Sequence, residues 1–207
     1  MSRGPLQIAI LGAGRVGRAL GQRWAGGGHQ VSYGVRDPQD PRHADLARAV
    51  SPADAVEGAD VVVVALPWAG TEAALASLDL GAAVVVDATN PLVDMAIDPA
   101  ATTAGSGAAL VAAWARSPRV VKAFNTTGSP NMEDPSYPGG VPCMPVAGDD
   151  ADGKALVMDL ARELGFDAID AGPLAAAADL EHLAMLWIRL AFPMGNGPGI
   201  AFSLLRR

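Results

Sequence analysis

Three glycines near the start of the chain have the spacing of a phosphate-binding turn. Gly12, Gly14 and Gly17 stand in the sequence GAGRVG, directly after an apolar run at residues 7–11. In a strand-turn-helix unit, the first glycine makes the tight turn, the second lets a pyrophosphate approach the backbone, and the third lets the helix pack on the strand. The helix N-terminus then favours the phosphates. The motif predicts dinucleotide binding; the alternative is a turn that binds nothing.

The end of the next apolar segment bears on which dinucleotide binds. Residues 30–34 are predicted to form a second strand, followed by Val35, Arg36 and Asp37. A site that prefers NAD usually has an acidic residue here to accept from the ribose 2′-hydroxyl, whereas an arginine accommodates the 2′-phosphate of NADP. Arg36 therefore favours NADP, while Asp37 either caps the following turn or takes the ribose itself.

Further candidate binding residues follow the later apolar runs. The carboxyl ends of parallel strands meet at the crevice where ligands bind, so residues that follow a predicted strand are expected there. Leu66, Pro67 and Trp68 follow a run of valines and are predicted to lie over the nicotinamide ribose. Trp68 either stacks on a bound ring or packs on the next helix. Asn90 follows another valine run and either orients a bound ring or belongs to an ordinary Asn-Pro turn.

Asn125 and Thr126 follow the predicted strand at residues 119–124 and open a proline-rich stretch that runs to residue 142. This stretch is long for a connection, so a lid or an active-site wall is one interpretation and a disordered surface loop is the other. We predict that both residues line the pocket of a hydride acceptor. The alternative for Asn125 is that it only satisfies backbone groups at the strand end.

The chain lacks the residues of several enzyme classes. The Tyr-x-x-x-Lys pair of short-chain dehydrogenases is missing, because Asp37 and Val141 stand four residues after the two tyrosines. No general acid or base is evident at the strand ends, and the histidines and the single Cys143 share no metal-ligand spacing. We therefore predict no catalytic side chain and no metal. Hydride transfer between two stacked rings needs neither, because positioning is most of the catalysis.

The elements that must position these residues alternate between strands and helices. This order predicts an α/β fold, a doubly wound parallel sheet of the Rossmann type, with a small C-terminal helical extension. We expect residues 1–174 to form the dinucleotide-binding domain and residues 175–207 to complete the acceptor site. A helix is expected at residues 41–50, and the extension is expected to hold a long apolar helix and a short terminal helix with Arg206 and Arg207.

The net charge, the length of the apolar runs and the cysteine count limit the kinds of binding partner and the compartment that we expect. A net charge of −7 argues against binding to a nucleic acid. No apolar run approaches the ~18 residues of a membrane span, and no signal peptide is evident. A single cysteine excludes an internal disulfide and fits a reducing compartment. We expect a cytoplasmic protein without a membrane partner.

Together these segments resemble the NADPH-dependent coenzyme F420 reductases over nearly the whole chain. The N-terminal part is also similar to the reductase domain of the STEAP metalloreductases, which passes hydride from NADPH to a flavin. The segments that carry the resemblance are residues 8–17, 34–36, 66–68, 120–125, 148–150 and 170–174 and the glycine-rich C-terminus.

The resemblance implies an NADP site and a second ring. NADP would be bound by the glycine turn and the next strand end, at Gly12, Ala13, Gly14, Arg15, Val16 and Arg36. The acceptor, F420 or a flavin such as FMN or FAD, would lie against the later strand ends and the C-terminal loop with Met194 and Gly195. A homodimer is also implied. The competing functions are an NADP-dependent reductase of a small organic substrate and an NADP sensor without turnover.

The chain departs from that family at two positions. Members with established F420 activity tend to have Ser or Thr where this chain has Val35, and His where it has Asn125. Both positions belong to the implied binding sites, the first to the 2′-phosphate and the second to the deazaflavin.

Overall fold

A computed structural model of the protein describes residues 4–207, and its centre is a sheet of eight strands. The strand order is β10-β9-β8-β5-β4-β1-β2-β3. The strands are β1 (Gln7–Leu11), β2 (Gln30–Gly34), β3 (Ala49–Val50), β4 (Val61–Val64), β5 (Val84–Asp87), β8 (Val120–Lys122), β9 (Cys143–Gly148) and β10 (Asp167–Gly172), while β6 (Leu92–Val93) and β7 (Ala96–Ile97) form a separate hairpin. The predicted doubly wound α/β fold is confirmed.

Strands β9 and β10 run opposite to the rest of the sheet. They pair with each other in parallel, but β9 pairs with β8 in an antiparallel register that sets Val121 against Gly148. The sheet is therefore mostly parallel, and the pair β9 and β10 is reversed relative to the other strands. The connection at residues 123–142 contains no helix long enough to carry the chain back across the sheet, so the chain reverses at the carboxyl edge.

Helices cover both faces of this sheet. They are α1 (Arg15–Gly26), α2 (Pro52–Val56), α3 (Trp68–Ala76), α4 (Pro99–Ala104), α5 (Gly107–Ala115), α6 (Ser129–Glu133), α7 (Ala151–Leu164) and α8 (Ala177–Ala191). Alternate side chains of β1 join different apolar clusters, with Ile8 packed in the cluster of Trp24 and Ala9 in the cluster of Leu75. Because both faces are buried, these strands are apolar without alternation.

Two helices expected from the sequence are absent from the structure. Asp40 does accept from the N–H of Arg42, but only the 3₁₀ turn Pro41–His43 follows, and Ala49 and Val50 instead pair with the end of β2. Pairing with an open sheet edge has overridden the local helix signal. The expected terminal helix is also wrong, since residues 200–207 form no regular secondary structure.

The C-terminal tail, residues 198–203, is held by hydrogen bonds from three parts of the chain. Trp187 and Asn131 donate to the carbonyl of Ile200, and Tyr137 donates to that of Gly199. These contacts also order much of the stretch at 125–142, so the disordered-loop interpretation does not fit. Among residues 4–207, no helix combines the length and the apolar character needed to cross a bilayer.

Candidate functional site

The glycine turn lies between β1 and α1 at the carboxyl edge of the sheet. Gly12 has φ of +102°, and a Cβ there would stand 2.6 Å from the carbonyl oxygen of Ala65. A Cβ on Gly17 would overlap the carbonyl oxygen of Gly12. Gly14 differs, because nothing lies within 4 Å of the position of its Cβ. The fold requires the first and third glycines, whereas the second faces open space.

The N-terminus of α1 is built to receive an anion. Gly14 is the N-cap residue and supplies no side-chain cap, and the first turn holds no acidic residue. The first N–H groups of a helix have no partner within it, and its dipole places partial positive charge there. Arg15 is exposed at this end, where a cation is unfavourable unless an anion binds beside it.

The three residues that follow β2, Val35, Arg36 and Asp37, differ in their exposure and in their contacts. Arg36 is exposed, and within residues 4–207 it makes no ion pair. Asp37 accepts from the N–H of Gln39, which is the turn-capping role foreseen for it. The side chain of Val35 is 6% exposed and packs in the core, so any contact of this residue with a cofactor falls to its backbone.

Trp68 is used for packing. Its ring centroid lies 5.1 Å from that of Trp114, and its indole N–H donates to Asp98 over 2.7 Å. This hydrogen bond and the N–H of Ala100 hold the pKa of Asp98 below its usual value. Trp68 is itself the first residue of α3, so its packing contact is with α5, and stacking on a bound ring stays a prediction. Leu66 and Pro67 precede it at the carboxyl end of β4, half-buried and exposed respectively.

Asn90 and Asn125 are brought together at the carboxyl ends of β5 and β8. The amide of Asn125 donates to Asn90 Oδ1 and to the carbonyl of Leu180, both over 3.1 Å, and Asn90 donates back to the carbonyl of Asn125 over 3.0 Å. The side-chain oxygen of Asn125 is buried and has no hydrogen-bond partner within residues 4–207. Thr126 is buried beside it. Orphaned buried acceptors are rare and often mark function.

Backbone strain marks the same point. Phe124, immediately before Asn125, is buried and has φ of +61°, a left-handed conformation that costs a non-glycine residue about 1–2 kcal/mol. Its ring packs edge-on against Trp24 with centroids 5.6 Å apart. Strain of this kind persists only where the surroundings enforce it, and it clusters at functional sites.

A buried ionic cluster lies at these strand ends, and sequence reasoning missed it. Lys122, the last residue of β8, contacts Asp87 Oδ2 at 2.9 Å and Glu181 Oε1 at 3.1 Å, and all three side chains are at most 2% exposed. Glu181 also accepts from the N–H groups of Gly107 and Ala108 at the start of α5. Asn90, Asn125 and Thr126 are the polar candidates that we named at the strand ends, and these charged residues were overlooked. The signal was a charged residue closing two of the valine runs, Asp87 after residues 84–86 and Lys122 after residues 120–121.

Met194 and Gly195 are not joined to this group. Asn125 meets α8 at Leu180, and the helix from there to Ala191 is about 16 Å long at 1.5 Å per residue. Met194 is 67% exposed in the loop beyond that end. The structure therefore brings Asn90, Asn125 and Thr126 together without Met194 and Gly195, while the C-terminal loop reaches the segment after Thr126 at Pro198, whose carbonyl oxygen would lie 3.3 Å from a Cβ on Gly128.

Comparison with known proteins agrees with this architecture. The family model described as NADP oxidoreductase, coenzyme F420-dependent, matches residues 7–91. Metalloreductase STEAP3 of Rattus norvegicus is 29% identical over 183 residues, which are 86% of this chain and 36% of that protein. The chain thus spans about a third of the length of this curated relative.

Two solved structures match almost the whole chain. One is a protein of Arthrobacter sp. FB24, named provisionally as an F420-dependent NADP-reductase, with 32% identity, a TM-score of 0.85 and coverage of 97% of this chain and 100% of that one. The other is the hypothetical protein SMa0349 of Sinorhizobium meliloti, with 28% identity, a TM-score of 0.74 and coverage of 98% and 96%. Identity at this level over the full length shows common family, and the chain therefore belongs to the coenzyme F420-dependent NADP oxidoreductases.

Proposed function

We propose that the protein transfers a hydride between NADPH and a deazaflavin such as F420, or a flavin-like ring. The observation that carries the NADPH half is Gly14, a fingerprint glycine for which the fold itself has no need, since a side chain there would meet open space. A glycine at a position where the protein has room for a side chain fits a site in which a pyrophosphate must approach the protein backbone closely.

The charges near the glycine turn fit a dinucleotide phosphate. The uncapped start of α1 and the exposed Arg15 would face the pyrophosphate, with Gly12, Ala13 and Val16 shaping the turn. Arg36 is free to meet the 2′-phosphate of NADP. When bound, NADPH supplies a hydride, and reduction of the acceptor also takes up a proton from solvent.

Arg36→Ala should weaken NADPH far more than NADH. The substitution removes a charge-assisted contact to the 2′-phosphate, worth about 1.5–3 kcal/mol, which NADH cannot make. Titration of both nucleotides against their own fluorescence measures the two Kd values. Equal losses for NADPH and NADH would remove Arg36 from the 2′-phosphate site.

The acceptor half rests on the strand ends of β5 and β8. Here the paired asparagines, the orphaned oxygen of Asn125 and the strained Phe124 coincide. We propose that Asn125, Thr126 and Asn90 line the crevice in which the two rings meet. After β10 the described chain adds α8 and a tail, so an acceptor would be held mainly by these strand ends.

Asn125→Leu should lower kcat/KM for the acceptor by about tenfold or more, because orientation is lost at the ring edge. The Kd for NADPH should stay within about twofold, since the phosphate contacts are untouched. Steady-state kinetics and nucleotide titration on the same preparation test this.

The control is Leu80→Ala, which removes a buried apolar side chain just before the start of β5, at the opposite edge of the sheet from Asn125. It should lower the melting temperature without a change in acceptor kinetics. If Asn125→Leu behaves like this control, Asn125 has only a structural role.

The acceptor itself is tested by anaerobic mixing of the protein with NADPH and, in turn, F420, FMN and FAD. Loss of NADPH absorbance with concurrent bleaching of the acceptor band identifies the substrate. Binding of NADPH without turnover of any acceptor would favour the sensor, and turnover with a small carbonyl or imine compound alone would favour the organic-substrate reductase.

We also propose the division of labour expected from the sequence. Residues 1–174 would bind the dinucleotide, and residues 175–207 would complete the acceptor site through α8, with Trp68, Met194 and Gly195 at its border. The proposed assembly is a homodimer in the cytoplasm with a small-molecule acceptor as its partner. Sedimentation of the purified protein checks the dimer.

A further inference from the structure

Arg18 joins the glycine turn to residues 36–45, the segment that follows β2. Among residues 4–207, no other side-chain hydrogen bond joins these two segments. The Nε of Arg18 donates to the carbonyl of Ala13 over 3.0 Å, in the glycine turn. Its Nη1 lies 2.5 Å from Asp45 Oδ2, and its Nη2 donates to the carbonyl of Arg42. One guanidinium on the first turns of α1 thus bonds to both segments.

The second of these segments, residues 36–45, needs such a link. It begins with the exposed Arg36 and contains one 3₁₀ turn, and its other side-chain hydrogen bonds are internal, such as that between His43 and the carbonyl of Asp37. The hydrogen bond from the Arg18 guanidinium lowers the pKa of Asp45 below its usual value, so it favours the ionised carboxylate. Arg18 is 25% exposed, less than its partner.

We infer that Arg18 is a positioning residue for the choice of NADP over NAD. It holds residues 36–45 against the glycine turn, so that Arg36 faces the 2′-phosphate while the same nucleotide's pyrophosphate lies at the start of α1. This role rests on the proposed NADP site. It needs no contact between Arg18 and the nucleotide, because Nε, Nη1 and Nη2 of the guanidinium already donate to protein oxygens.

The consequence is a split between two nucleotides that differ only by the 2′-phosphate. Loss of the link leaves the glycine turn and the start of α1 in place, so the pyrophosphate contacts that NADPH and NADH share remain. What is lost is the fixed distance between those contacts and Arg36. A role in overall stability alone would weaken both nucleotides together.

The test is Arg18→Gln, with Kd values for NADPH and NADH from fluorescence titration and a melting temperature on each preparation. The Kd for NADPH should rise about tenfold or more, and that for NADH less than about threefold. Asp45→Asn, which weakens the same link from the other side, should shift the ratio in the same direction by less.

The matched control is Arg23→Gln. Arg23 lies on the same helix and its guanidinium also donates to a carbonyl, that of Leu164, but at the end away from the turn. Both Kd values should stay within about twofold. Equal losses of NADPH and NADH in Arg18→Gln, or no loss in either, would overturn the positioning role while leaving wild-type NADPH binding intact. A wild-type protein that binds neither nucleotide would instead overturn the proposed function and this role with it.

Discussion

Replacing Gly14 with valine is expected to abolish NADPH binding and to leave the protein folded. The N-cap backbone at Gly14 has φ of −76° and ψ of −172°, which any L-residue adopts, and no atom lies within 4 Å of the Cβ position. The branched side chain would instead occupy the approach of the pyrophosphate to the start of α1. We expect the Kd for NADPH to rise by about 100-fold or more, which corresponds to ~2.7 kcal/mol.

Gly17→Val is the matched variant with the opposite outcome. Its side chain would overlap the carbonyl oxygen of Gly12 and approach Ile10 at 3.1 Å, so helix and strand cannot keep their distance and the fold is lost. Circular dichroism melts and nucleotide titration on both variants separate the two effects. Tight NADPH binding by Gly14→Val, or a melting temperature that falls as it does in Gly17→Val, would contradict a purely ligand-directed role for Gly14.

The second large effect is expected at the buried ionic cluster. Lys122→Met should destabilise the protein by about 3–5 kcal/mol, because the carboxylates of Asp87 and Glu181 stay buried with no cation between them. The substitution should also shift α8, because Glu181 lies on this helix and the neighbouring Leu180 carbonyl accepts from Asn125. Urea unfolding of wild type and variant measures the change in the free energy of unfolding.

Two further variants make this result specific. Arg162→Met breaks a pair with Asp159 in which both side chains are about half exposed, and it should cost less than about 1 kcal/mol. The double variant with Lys122→Met and Glu181→Gln removes one of the stranded charges, so it should be more stable than Lys122→Met alone. Additive losses in the double variant would show that the three side chains are not coupled.

The sheet was predictable because its strands carry their own signal. Apolar runs that remain unbroken by polar residues mark strands buried on both faces, and β1, β4, β5 and β8 were found in this way. Strand β2 contains Ser32, and it was found from the glycines that end the preceding helix. The short β3 was missed because two residues carry no pattern. The reversal at β9 was missed because apolar runs do not reveal strand direction, which depends on how the preceding connection crosses the sheet.

The candidate site divides in the same way. The glycine turn is a local motif, so its place was readable, and the strand-end rule located Asn90 and Asn125 without showing that they pair with each other. Glu181 was beyond reach, since its bonds to α5 join positions 74 and 73 residues apart. A buried charge is identified by its partners, and those partners are known only once the chain has folded.

The hydrogen bonds that hold the C-terminal tail join parts of the chain that are synthesised at different times. The glycine turn, α1, β2 and the segment with Arg36 all precede residue 51. The stretch at 125–142 depends on carbonyls made much later, because Asn131 bonds to Ile200, 69 residues further along, and Tyr137 to Gly199, 62 residues further along. A ribosome therefore releases the proposed nucleotide-binding segments while this stretch still lacks the C-terminal carbonyls to which it bonds.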